Sequence, residues 1–81
     1  MDKNAIFDII KETLVSEFKI DASLIDLDKQ LSGDLDLDSL DMVDLLISLK
    51  DHFGETVDPD IFKNAGTLQD VVDLVQPLWR A

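Results

Sequence analysis

The chain has 81 residues, 46% of them hydrophobic and 31% charged, a composition that belongs to a folded domain and not to a disordered acidic tail. Eighteen Asp and Glu against seven Lys and Arg give a net charge of −11, which argues against nucleic acid as a partner because phosphate repels it. With no Cys and one His (His52), the chain cannot build a disulfide, a thiolate zinc site, a multi-histidine metal site or a cysteine nucleophile.

The length predicts one domain spanning 1–81. No apolar run approaches the roughly 20 residues of a membrane span. Met1-Asp2-Lys3-Asn4 lacks the basic-then-apolar pattern of a signal peptide. The expectation is a soluble, cytoplasmic monomer whose partners are basic.

Few turn residues interrupt the chain, with three Gly and two Pro, which favours helices joined by loops. The first helix is expected over about 5–18. Ile6, Phe7, Ile10, Leu14 and Phe18 fall in one sector at 100° per residue, and Asn4 is the expected N-cap. From Lys19 to Asp38 the apolar residues keep no sustained period. Asp21 is placed to cap a single turn at 22–25, and Ser32-Gly33-Asp34 is a turn signal. Asp34-Leu35-Asp36-Leu37-Asp38 alternates acid and leucine over only five residues, which reads as an extended loop pinned to a core by Leu35 and Leu37.

A second helix is expected from Asp38 to about Phe53, stopped by Gly54. Asp38 suits the N-cap, and Asp41 suits the reciprocal position of a capping box. Met42, Leu45, Leu46, Leu49 and Phe53 form its core stripe. Asp41, Asp44, Ser48, Asp51 and His52 form the opposite face, with Leu40 and Ile47 at its edge. Asp58-Pro59 opens a short third helix through Ile61 and Phe62, and Thr67 with Asp70 opens a last one from Leu68 to about Gln76, before Pro77. Leu78-Trp79-Arg80 either packs back or frays. The fold class is all-α: a four-helix bundle of three principal helices and a short third one, with a long loop between the first two. The expected core includes Phe7, Leu14, Leu31, Met42, Leu46, Leu49, Phe53, Ile61, Phe62, Val71, Val72 and Val75.

Catalytic patterns are missing. There is no Gly-rich phosphate loop and no G-x-S-x-G elbow. Ser39 and His52 sit toward opposite ends of one expected helix, about 20 Å apart at 1.5 Å per residue, too far for a Ser–His hydrolase. Asp34, Asp36 and Asp38 match positions 1, 3 and 5 of a calcium loop, but Ser39 stands where Gly is needed and Leu45 where the bidentate Glu is needed. Ser39 itself opens a helix, where unpaired N–H groups and the dipole favour a phosphate ester; a good helix-start residue would equally be a Ser.

The neighbourhood of Ser39 adds to this. Asp38-Ser39-Leu40-Asp41 followed by Met42-Val43-Asp44-Leu45-Leu46 resembles the prosthetic-group attachment motif of acyl carrier proteins. The resemblance covers nearly the whole chain, from the amphipathic first helix and Asp34-Leu35 to Val57-Asp58-Pro59 and Thr67-Leu68-Gln69-Asp70. It implies that Ser39 carries 4′-phosphopantetheine through a phosphodiester, with Asp38 and Leu40 completing the motif. It implies loading by a phosphopantetheinyl transferase from coenzyme A, and an acyl group held as a thioester on the arm's thiol. It also implies that the helical core can part to hold an acyl chain. Two positions depart from the family pattern: Asp36, where many members have Gly, and Lys50, where an acid is common.

Residues 21–51 hold nine Asp against two Lys. Asp41 and Asp44, beside Leu40, Val43 and Ile47, form the expected docking face for transferases and acyl-transfer or synthase enzymes with basic patches. The expected function is therefore a carrier and not an enzyme, serving fatty-acid or related acyl and polyketide synthesis, with no metal. A specialised polyketide or aminoacyl carrier, an acidic helical interaction module without a cofactor, and a calcium sensor are the alternatives.

Overall fold

Three α-helices carry the architecture: α1 (Lys3–Phe18), α2 (Ser39–Ser48) and α3 (Leu68–Val75). The structure is a computed structural model, and it describes residues 2–53 and 56–80. Among these there is no strand beyond two isolated bridges, Gln30 with Thr67 and Phe53 with Trp79. Short 3-10 turns occupy Ala22–Leu24, Lys50–His52, Pro59–Phe62 and Gln76–Leu78. The architecture is all-α, as expected, and the short third helix is the 3-10 turn that Pro59 opens. No helix among the described residues is long and apolar enough to cross a membrane.

Each helix buries one stripe. Ile6, Ile10 and Leu14 recur every four residues and put α1 against the centre. Met42, Leu45 and Leu46 do so for α2, and Leu68, Val71, Val72 and Val75 for α3. Leu31, Leu49, Phe53, Phe62 and Trp79 join the same cluster. Phe7 and Ile61, expected in the core, are only half-buried at its margin. Lys3 pairs with Asp73 at 2.6 Å between α1 and α3, and the Ser48 hydroxyl donates to Glu17 between α1 and α2.

Two boundaries differ from expectation. Asp2, not Asn4, caps α1, its Oδ1 accepting from Ala5 N at 2.8 Å, because an ionised acceptor also complements the helix dipole. The second helix leaves α geometry at Ser48, not near Phe53. Leu49 N is shared between the carbonyls of Leu45 and Leu46, and 50–52 tighten into a 3-10 turn that aims Phe53 at Trp79. The expected Gly54 stop lies outside the described residues. His52, expected on the solvent face, is half-buried, its ring stacked on Trp79 with centroids 4.6 Å apart at 14°. Leu78-Trp79-Arg80 packs back: Trp79 is buried, meets Phe53 edge-on at 5.7 Å, and Arg80 N donates to the His52 carbonyl at 2.6 Å.

The long loop is held by its own backbone. Leu68 N and Gln69 N, which no turn of α3 can satisfy, donate to the carbonyls of Lys29 and Leu27 at 3.0 and 2.8 Å. Leu31 N donates in return to Gly66 O at 3.0 Å. Asp70 completes the corner by accepting from Gly66 N and Thr67 N, and those N–H groups hold its carboxyl below the usual carboxylate range. A depressed folded pKa contributes stability above the unfolded value of about 3.9, and that contribution is lost as pH falls through the folded value. Asp70→Asn should therefore melt lower than the wild-type protein at pH 7, with the gap closing as pH falls through the folded value. Paired thermal melts across this range check it, and a gap of the same size at both ends would show that the charge is not what holds the corner.

Leu35 and Leu37 are buried, as the alternation requires, and the residue between them takes the strained conformation. Asp36 has φ 57°, in the left-handed region. A residue with a Cβ is disfavoured there by roughly 1–2 kcal/mol, Asp less than most. Glycine's larger freedom in the unfolded chain offsets part of the gain. Asp36→Gly should raise the melting temperature by about 2–4 °C, or ~0.5 kcal/mol, and Asp36→Ala should lower it. Asp36→Asn, which removes only the charge, separates backbone strain from acid repulsion in the same melts.

Candidate functional site

Leu35 and Leu37, both sunk into the core, deliver the chain to the start of α2 in a fixed register. Leu37 N donates to Leu31 O at 2.8 Å, which closes the last loop turn before the helix. Asp38 then sits extended at the N-cap, with φ −101° and ψ −175°. Its Oδ1 accepts from Asp41 N at 2.9 Å, and Asp41 Oδ2 accepts from Asp38 N at 3.1 Å. This is the capping box expected from the sequence, and it assigns Asp38 and Asp41 a structural task besides their charge.

Ser39 is the first residue of α2 and is exposed. Its hydroxyl makes no hydrogen bond among the described residues. The first intrahelical bond is Met42 N to Asp38 O at 3.1 Å, so the N–H groups of Ser39 and Leu40 lie before it. Ser39 Oγ is thus exposed, unbonded among the described residues, and at the positive end of a helix. A phosphate ester formed on it meets favourable backbone dipoles at once.

Along the outer face of α2, Leu40 and Ile47 are 73% and 56% exposed, far more than large apolar side chains need be. Asp44 is exposed, and Asp41 and Val43 are half-buried. The five residues expected to form a docking face therefore do lie on the accessible part of α2 near Ser39. Clefts flank this face on both sides. One, of about 450 Å³, lies between the end of α1 and α2 and is lined by Glu17, Phe18, Asp41, Asp44, Ile47 and Ser48. The opposite side holds two apolar-floored grooves. One of about 490 Å³ runs from Ser39 past Leu37, Met42 and Val43 to Phe62. The other, of about 450 Å³, continues past Leu46, Ile47 and Phe53 to Lys50. Val43 and Pro59 line both, so the two are adjoining. These grooves have no signature in the sequence, because they depend on where residues 56–66 lie against α2.

Among the described residues no group of three or more His, Asp or Glu side chains is placed to hold a metal ion. The Asp34 carboxylate accepts from Gln30 N at 2.8 Å and closes a loop turn. A free serine hydroxyl, a dipole end and an adjoining groove with an apolar floor do fit a phosphodiester-linked arm.

The family described as "Phosphopantetheine attachment site" matches residues 8–75. The chain is 36% identical over 81 residues to acyl carrier protein 2 of Ralstonia nicotianae, covering 100% of both chains. It is 32% identical over 75 residues to an acyl carrier protein of Petrotoga mobilis, covering 93% of this chain and 88% of that one. It is 33% identical over 76 residues to an acyl carrier protein of Coprothermobacter proteolyticus, covering 94% and 93%. With the match spanning α1 to α3, the chain belongs to the acyl carrier protein family, carriers of acyl intermediates on a serine-linked 4′-phosphopantetheine and not catalysts.

Proposed function

We propose that Ser39 is the attachment residue, and that the outer face of α2 is where the loading and acyl-transfer enzymes dock. Ser39 Oγ attacks the β-phosphorus of coenzyme A on a phosphopantetheinyl transferase. The hydroxyl proton passes to the transferase, the pyrophosphate P–O bond breaks, and adenosine 3′,5′-bisphosphate leaves. When bound, the arm supplies a thiol that holds the acyl group as a thioester. The chain supplies the rest: Asp38 and Asp41 fix the helix start, Leu35 and Leu37 fix its height over the core, and the dipole of α2 accommodates the phosphate charge. Asp41 and Asp44 steer basic enzymes, and Leu40, Val43 and Ile47 give a small apolar contact that releases quickly.

The observation that carries this reading is the exposed, unbonded hydroxyl at the first residue of a doubly capped helix. Ser16 and Ser48 lie at or near the ends of helices, Ser23 lies in a one-turn 3-10 segment, and Ser32 lies in a loop turn. Fatty-acid or related acyl synthesis in the cytoplasm is the setting we propose, in one domain spanning the chain. Incubation with coenzyme A and a broad-specificity transferase should add one arm, and peptide mass mapping should place it on Ser39. An arm found on any other serine sinks the assignment.

A further inference from the structure

The groove beside Ser39 has α2 on one side and residues 59–66 on the other. Its charged lining residues are Asp38, Asp60 and Lys63. We propose that Lys63 is the counter-ion of the phosphodiester on Ser39, and that this pairing seats the arm in the groove instead of leaving it free in solvent. The proposal rests on attachment at Ser39.

The surroundings of Ser39 make a counter-ion matter. Asp36, Asp38 and Asp41 lie within three residues of it, and Asp60 lines the same groove. A phosphodiester adds another full negative charge to this field. Two features oppose the repulsion. One is the N-terminus of α2, which lies along the helix axis and favours no lateral direction for the arm. The other is Lys63, the one cationic side chain lining the groove, which stands to one side.

Lys63 is suited to the task. It follows the 3-10 turn Pro59–Phe62, and its backbone is anchored by Lys63 N to Asp60 O at 3.0 Å. Its side chain is exposed, and among the described residues it makes no ion pair. A lysine presents a compact charge on a flexible stem, which suits an anion that arrives only after loading. The part of the arm next to the phosphate carries a geminal dimethyl group. Leu37, Met42, Val43 and Phe62, which line the groove, offer apolar cover for it.

The test compares apo and loaded protein for the wild type, Lys63→Gln and Lys63→Arg, with intact mass read in parallel. The readouts are the phosphorus NMR shift of the phosphodiester and the amide shifts of Val43, Ala65 and Gly66. In the wild-type protein, loading should move these amides at low salt, and high salt should reduce the effect. Lys63→Gln should load fully yet show perturbations at Ala65 and Gly66 reduced about two- to five-fold, the scale of an exposed ion pair. Lys63→Arg should retain them. Comparing apo with loaded protein within each variant cancels any change in how Asp38 and Asp60 interact with position 63. If the wild-type mass does not rise, attachment itself fails and this proposal falls with it. Should all three proteins load and give equal shifts, or should Lys63→Arg lose them as Lys63→Gln does, attachment stands and the counter-ion role is overturned.

Discussion

Ser39→Ala should leave the protein folded and wholly unloadable. The hydroxyl makes no hydrogen bond among the described residues, so its removal strands no partner. Alanine is the best helix former and is tolerated at the first position of α2. The capping box belongs to Asp38 and Asp41 and survives the change. The expected melting shift is therefore within about 0.5 kcal/mol, whereas arm incorporation drops to nothing. Intact mass after incubation with coenzyme A and a transferase reads the second quantity, and circular dichroism the first. Incorporation that persists in a folded alanine variant would refute the assignment.

Reversing charge on α2 should slow loading about ten-fold at low salt, with less effect as salt rises. The choice of variant follows from the geometry. Asp41 reaches back to Asp38 N at 3.1 Å, so Asp41→Lys would spoil the cap and put a cation at the positive end of the helix. Asp41→Gln keeps an acceptor suited to a capping box, and Asp44 is exposed and free of that duty. The double variant Asp41→Gln with Asp44→Lys changes the local charge by three units while leaving α2 capped. Individual exposed pairs are worth about 1 kcal/mol or less, so the combined change is needed for a clear signal. The measurement is the rate of Ser39 loading against enzyme concentration at several salt concentrations. A folded double variant loaded at the wild-type rate, with the same salt dependence, would reduce this face to a solvated surface.

What was legible in the sequence was local. Asp38 with Asp41 and Thr67 with Asp70 are capping signatures three residues apart, and both form as reciprocal boxes. The four-residue recurrence of Ile6, Ile10 and Leu14 identified the buried stripe of α1, and acid–leucine alternation identified Leu35 and Leu37 as anchors. The motif around Ser39 is contiguous, so the proposed site stands out in the sequence as well. What escaped depends on pairs far apart in the chain. Nothing near His52 announces Trp79, 27 residues later, and without that stack the second helix reads as continuous to Phe53. Leu68 reads as a helix start, yet it is fully buried because Lys29 and Leu27 receive the N–H groups beside it. Lys63 reads as an ordinary surface lysine until Pro59–Phe62 is laid beside α2. The positive φ of Asp36 was readable only as a missing glycine.

The tie between His52, Phe53 and the Trp79–Arg80 segment bears on how the protein is born. Its closing contacts join residues made early to residues made much later: the Lys29 and Leu27 carbonyls wait for Leu68 and Gln69, and Phe53 waits for Trp79. On a ribosome adding about 5–20 residues per second, α1 and α2 exist for seconds before their partners do. Alone they lack α3, whose four buried side chains complete the core. The nascent chain therefore cannot complete its native packing before translation has passed Trp79. A loading enzyme that demands a finished α2 platform would meet it only on chains in which α3 and the Trp79 segment have already been made.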